Sequence, residues 1–137
     1  MKKLKRATKS SKFEWKKAPD VKIRLRKLIK TLDIDYIKPN SIHTYRSANS
    51  KTRAYARIWG LSKLWQEVLE VRPTYIIEVL SQHFDDLPEK EKDKVILHEL
   101  THIPKNFSGA LVAHTHRKKG SFHDKLEKLY ESYHSSR

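Results

Sequence analysis

Val95-Ile96-Leu97-His98-Glu99-Leu100-Thr101-His102 is an apolar, helix-compatible run that carries the spacing His-Glu-x-x-His. On a helix, residues four apart share a face. His98 and His102 can therefore offer two imidazoles to one metal ion. Glu99, beside the first of them, can lean toward a water on that ion. A helix bearing these residues at this spacing can hold zinc and supply a general base for hydrolysis. A chance match in a His-rich chain is the competing reading. The apolar surroundings and the further His residues downstream weigh against it. The run also divides the chain, because strand-like segments precede it and a loop and one more helix follow.

Upstream, Phe84-Asp85-Asp86-Leu87-Pro88 reads as the lead-in to a helix. Pro88 suits a first helical turn, where its missing N–H is no loss. Glu89 and Glu91 favour the positive end of the helix dipole. The pattern predicts a helix over residues 88–102 that stops before Pro104. Before it, residues 75–80 (Tyr-Ile-Ile-Glu-Val-Leu) make the clearest strand by β-branched content. Their near-continuous apolar character predicts burial on both faces. Two more strands are expected at residues 42–46 and 54–61, joined by a hairpin connection at Ala48-Asn49-Ser50-Lys51. In the second, Tyr55, Arg57 and Trp59 alternate with Ala54, Ala56 and Ile58, and Gly60 marks a bulge or bend. Residues 64–69 fit a short strand or a helical turn equally.

Further back, Pro19-Asp20 opens an amphipathic helix. Val21, Leu25, Leu28, Ile29 and Leu32 recur at helical spacing, and Lys22, Arg24, Arg26, Lys27 and Lys30 fill most of the remaining surface. Downstream, residues 105–120 read as a loop with Gly109 and Gly120 as hinge points. Ser121 with Asp124 resembles a capping box. It opens a last helix over residues 121–133, with Phe122, Leu126, Leu129, Tyr130 and Tyr133 at helical spacing. Strands followed by helices on one face make an α+β domain. The expected order is an N-terminal helix, a three- to four-stranded and mainly antiparallel sheet, the motif helix, a loop and a C-terminal helix.

At 137 residues the chain is near the commonest size for one domain. The expected division is a basic, flexible tail over residues 1–18 and a single domain over 19–137. The absence of Cys excludes disulfides and thiolate metal sites, so any zinc must use His with Asp, Glu or water. No apolar run approaches a membrane span, and the N-terminus lacks the apolar region of a secretory signal. The expectation is a cytoplasmic protein that does not contact membrane. The net charge of +14 suggests a polyanionic partner. It is unevenly placed, because residues 1–17 carry eight Lys/Arg against one acid. Nucleic acid met through this tail and the first helix is the partner such a distribution would suit, with the residues involved undefined. Phe13 and Trp15 could stack on bases there, or pin the tail to the domain.

A catalytic zinc usually has three protein ligands and one open position. After His98 and His102, the nearby candidates are His114 and His116 in the loop and His123 in the last helix. His43, His83 and His134 are more distant in sequence.

The run His98-Glu99-Leu100-Thr101-His102-Ile103-Pro104, then Phe107-Ser108-Gly109-Ala110-Leu111, then His114, resembles the small metallopeptidases predicted in phages and archaea, relatives of the SprT-like zincins. The likeness extends to Tyr45-Arg46-Ser47, Ala54-Tyr55-Ala56-Arg57, the strand at 75–79 and the Phe84-Asp85-Leu87 lead-in. It covers roughly residues 20–130. The resemblance implies a zincin-like fold, one Zn2+ ion, Glu99 as catalytic base and a protein or peptide substrate. It also implies a third ligand from the loop after the motif. Counting along the loop gives His114, with eleven residues between it and His102. Anchoring on a His-Arg pair ahead of Phe122 gives His116 as the alternative. A second function class stays beside the peptidase: a nucleic-acid-binding or virus-associated module whose metal site is structural or vestigial. The oligomeric state is open.

Overall fold

The computed structural model describes residues 12–113 and 122–135. In chain order the elements are β1 (Glu14–Lys17), α1 (Pro19–Thr31), a 3₁₀ turn (Pro39–Ser41), β2 (Ile42–Ala48), β3 (Ala56–Trp59), α2 (Lys63–Leu69), β4 (Tyr75–Leu80), α3 (Ser81–Phe84), α4 (Glu89–Leu100) and α5 (Phe122–Ser135). The class is α+β, as the pattern predicts.

The sheet is four-stranded and mixed, in the order β1-β2-β4-β3. β1 runs antiparallel to β2, and β3 antiparallel to β4, but β2 and β4 are parallel. Two of the three pairings are therefore antiparallel, and the parallel one at the centre makes the sheet mixed. One expectation is corrected: residues 48–51 do not close a hairpin, because β4 lies between β2 and β3. Asn49 has the left-handed backbone of a turn residue (φ 64°), so the turn signal is real. It opens a longer loop instead of a tight reversal. β4 lies inside the sheet, and the expected burial on both faces holds except at Ile76, which is exposed on the side away from α1. Tyr75, Ile77, Glu78, Val79 and Leu80 are all buried.

β1 lies within the stretch read as tail, so the basic segment enters the sheet at Glu14. Its sequence, Glu-Trp-Lys-Lys, suits an edge, where charged side chains discourage pairing with another chain. Residues 63–69 resolve as helix, and the Ser62 side chain caps α2 by accepting from Trp65 N–H at 3.3 Å. The short α3 was not expected.

α1 packs on β2 and α4, and α4 in turn packs on β3 and α5. Val21, Leu25, Leu28 and Ile29 of α1 are buried, as their spacing predicts. They meet Ile42, Ala56, Tyr75, Ile77 and Val79 from the sheet and Ile96, Leu97 and Leu100 from α4 in one core. Each fully buried aliphatic side chain contributes roughly 1.5–3 kcal/mol. Arg46 fastens β2 to its neighbours by reaching both Asp20 and Asp85 at 2.9 Å.

Candidate metal centre

α4 runs from Glu89 to Leu100, two residues short of the expected end, with Pro88 at its N-cap. The chain then tightens. Thr101 N–H still reaches the Leu97 carbonyl at 3.2 Å, while His102 N–H bonds Glu99 O at 3.1 Å and Ile103 N–H bonds Leu100 O at 3.1 Å. These shorter i→i−3 bonds are the usual way a helix closes its last turn. His98 therefore stands on the helix and His102 on the turn that ends it. Their rings lie edge to face with centroids 5.3 Å apart. Ile96, Leu97, Leu100 and Ile103 hold this end in the core.

Glu99 is 8% exposed, although it carries a carboxyl group. Desolvation pushes its pKa up to about 7. A carboxyl poised near neutrality can both take and return a proton at physiological pH.

The loop after α4 returns to the His pair. Val112 N–H donates to His102 O at 2.7 Å, and His102 Nδ1 lies 2.9 Å from Val112 O. A carbonyl can only accept, so Nδ1 carries the proton and Nε2 the lone pair. Metal-binding imidazoles are commonly oriented by such a bond. Between Pro104 and Val112 the loop is fixed to the sheet. Phe107 packs its ring against Tyr75 with centroids 5.0 Å apart, and its backbone is left-handed (φ 47°). The Tyr75 hydroxyl accepts from Gly109 N–H and donates to Ala110 O, both at 2.8 Å. Burial raises the pKa of this hydroxyl, so it keeps its proton. Gly109 has φ 95°, and a Cβ there would lie 2.3 Å from Gln66 Nε2 and 2.5 Å from Leu61 O. Gly60 meets the same loop, since a Cβ on it would fall 2.3 Å from Gly109 O. The expected bend at Gly60 is thus a close crossing of two backbones.

His98 and His102 come together at one helix end, with Glu99 next to His98 in the chain. Two imidazoles, with no thiolate, are part of a donor set suited to zinc or a similar divalent ion. Among the described residues, no group of three or more His, Asp or Glu side chains converges. His114, His116 and the side chain of His123 lie outside the described residues. His43 is exposed on β2, and His83 packs edge to face with Tyr55, centroids 6.2 Å apart. Sequence reading missed Tyr75, Gln66 and the Val112 carbonyl. Each acts through a tertiary contact that leaves no local signature.

No helix among the described residues is long and apolar enough to cross a membrane. A family model described as "Putative phage metallopeptidase" matches residues 13–130. No curated protein and no solved structure matches the chain.

Proposed function

Since the chain belongs to this phage metallopeptidase family, we propose that it is a zinc-dependent endopeptidase of the SprT-like, zincin type, with its centre on His98, Glu99 and His102. Membership implies a metal and a protein or peptide substrate. The observation that carries the finer reading is the seating of Glu99: a buried carboxyl with its pKa pushed up to about 7, next to a His pair at one helix end.

His98 and His102 would hold the ion through imidazole nitrogens. The third donor would be His114, with His116 as the alternative. Support for His114 comes from the count along the loop, with eleven residues between it and His102. When bound, the ion supplies Lewis acidity, making water nucleophilic near neutral pH and polarising the scissile carbonyl. Glu99 takes the proton of the attacking water and delivers it to the leaving amine. The backbone carbonyl of Val112 keeps the His102 ring in one tautomer and one orientation.

β3 supplies a place for the substrate backbone. It is an edge strand, paired only with β4, and α4 packs against it. An extended peptide can add to such an edge by main-chain hydrogen bonds.

The test is Glu99→Gln with metal analysis and a peptidase assay on an unfolded protein substrate. Gln keeps the shape but cannot shuttle the proton. Turnover should fall by about 10²–10⁴-fold, with metal content unchanged. Wild-type turnover in metal-loaded Glu99→Gln protein would remove Glu99 from the chemistry.

A further inference from the structure

The face of the sheet turned away from α1 and α4 has no role in the peptidase reading. Register places Trp15 and Lys17 of β1, His43 and Tyr45 of β2, Ile76 and Glu78 of β4, and Arg57 and Trp59 of β3 on this one side. Trp15 is 58% exposed and Trp59 44% exposed, and His43 is also open to solvent. Trp15, Tyr45, Trp59, Ile76 and Glu78 line one cleft of about 470 Å³. That volume lies within the usual range for ligand clefts.

Lys17 is exposed on β1 on this side, and the chain as a whole carries a net charge of +14. The Arg57 guanidinium lies 5.3 Å from the Trp59 ring centroid. The one acid of the cleft, Glu78, is only 1% exposed. It accepts from Arg57 Nε at 2.8 Å and from Trp59 Nε1 at 2.9 Å. Burial pushes the Glu78 pKa up, but these bonds outweigh it and hold the group ionised, below the ordinary range. Its charge is thus compensated locally, and the bond to Trp59 fixes the indole in place.

We propose that this face is a platform for single-stranded nucleic acid, with Trp15, Tyr45 and Trp59 stacking on bases and Lys17 meeting phosphate. An extended peptide docks by pairing its backbone with a sheet edge. A sheet face has no backbone groups to offer, so exposed rings bordered by cations favour planar, anionic ligands. In a duplex the bases are already stacked on each other, which leaves their faces closed to the platform. The platform lies across the sheet from α4, while Trp59 shares β3 with the edge proposed to receive substrate.

The experiment is fluorescence anisotropy of the full chain with a labelled twelve-nucleotide oligo-dT, alongside a duplex of equal length. Intrinsic Trp emission provides a second readout. Wild-type protein should bind the single strand more tightly than the duplex, with Trp quenching and affinity that falls as salt rises. Trp15→Ala, an exposed position with little structural role, should weaken binding about tenfold, within the range of one lost base stack. Trp59→Ala should do the same, with its folding checked by thermal melting because Glu78 loses a donor. Glu99→Gln should bind as wild type does. Equal affinity for duplex and single strand, or wild-type affinity in Trp15→Ala, would overturn the platform.

Discussion

The two halves of α4 are held by different forces. The first half is tied by charge. Arg24 of α1 reaches Asp93 at 2.7 Å and also pairs with Glu89, while Glu131 of α5 takes Lys94 at 2.7 Å and Lys90 at 3.1 Å. Tyr130 adds a hydroxyl bond to Asp93 at 2.8 Å. The second half is tied by burial, through Ile96, Leu97 and Leu100, and it carries His98 and Glu99. The exposed pairs, to Glu89 and Glu131, contribute little each and yield to salt. Packed aliphatics fix side chains in one rotamer. The proposed ligand His98 and the proposed base Glu99 sit on the packed half, where a metal ligand needs to be.

Ile96→Ala strikes the packed half. It should cost about 2–5 kcal/mol of unfolding free energy, read by urea denaturation. A loss near zero would mean that packing does not anchor the His-bearing end. Tyr75→Phe tests the loop that returns to this half. It leaves the buried Gly109 N–H without its acceptor, which should cost about 1–3 kcal/mol. Peptidase activity should fall more than stability does, because the same loop positions Val112 against His102. Arg24→Met strikes the charged half and should cost only about 1 kcal/mol, shrinking further at high salt. A cost equal to that of Ile96→Ala would erase the distinction between the halves.

The smallest effect comes from acid. The hydrogen bond to Arg24 holds the Glu89 carboxyl below its ordinary pKa, and the bond to Lys94 does the same for Glu131. A lowered folded-state pKa means stabilisation that is complete above the unfolded value and lost as pH falls through the folded one. From about pH 5 down to pH 3, amide NMR shifts should therefore report loosening at Lys92 before Leu97. Simultaneous change at both residues would show that the halves are not separable.

Periodicity exposed what is local. The spacing of Val21, Leu25, Leu28 and Ile29 gave the buried stripe of α1, and the run at 75–80 gave β4 to the residue. The alternation in β3 also held: Ala56 is buried and Ile58 packs on the core, while Arg57 and Trp59 point to the other side with Glu78. Strand partners were not legible, since the hydrophobic pattern says which face is buried and not which strand lies beside it. β1 was hidden because its Lys residues, suited to a sheet edge, look like more of the basic tail. At the candidate centre, the spacing pointed to His98, Glu99 and His102, and the structure sets the two imidazoles side by side. Tyr75 was readable only as a strand residue, because its hydroxyl contacts lie 34 and 35 positions away. The third donor falls outside the described residues, so its choice still rests on sequence.

The missing hairpin has a kinetic consequence. Every strand pairing joins residues at least 17 positions apart, the nearest being Trp59 with Ile76. Among the described residues, no pair of strands can zip up from a turn. Each must close a long loop before it gains a hydrogen bond, and topologies of this kind fold slowly for their size. The shortest of these closures joins β3 to β4, so it is the least costly of the three. The edge proposed to receive substrate is thus built from residues 56–80, all of which precede the His-bearing helix in the chain.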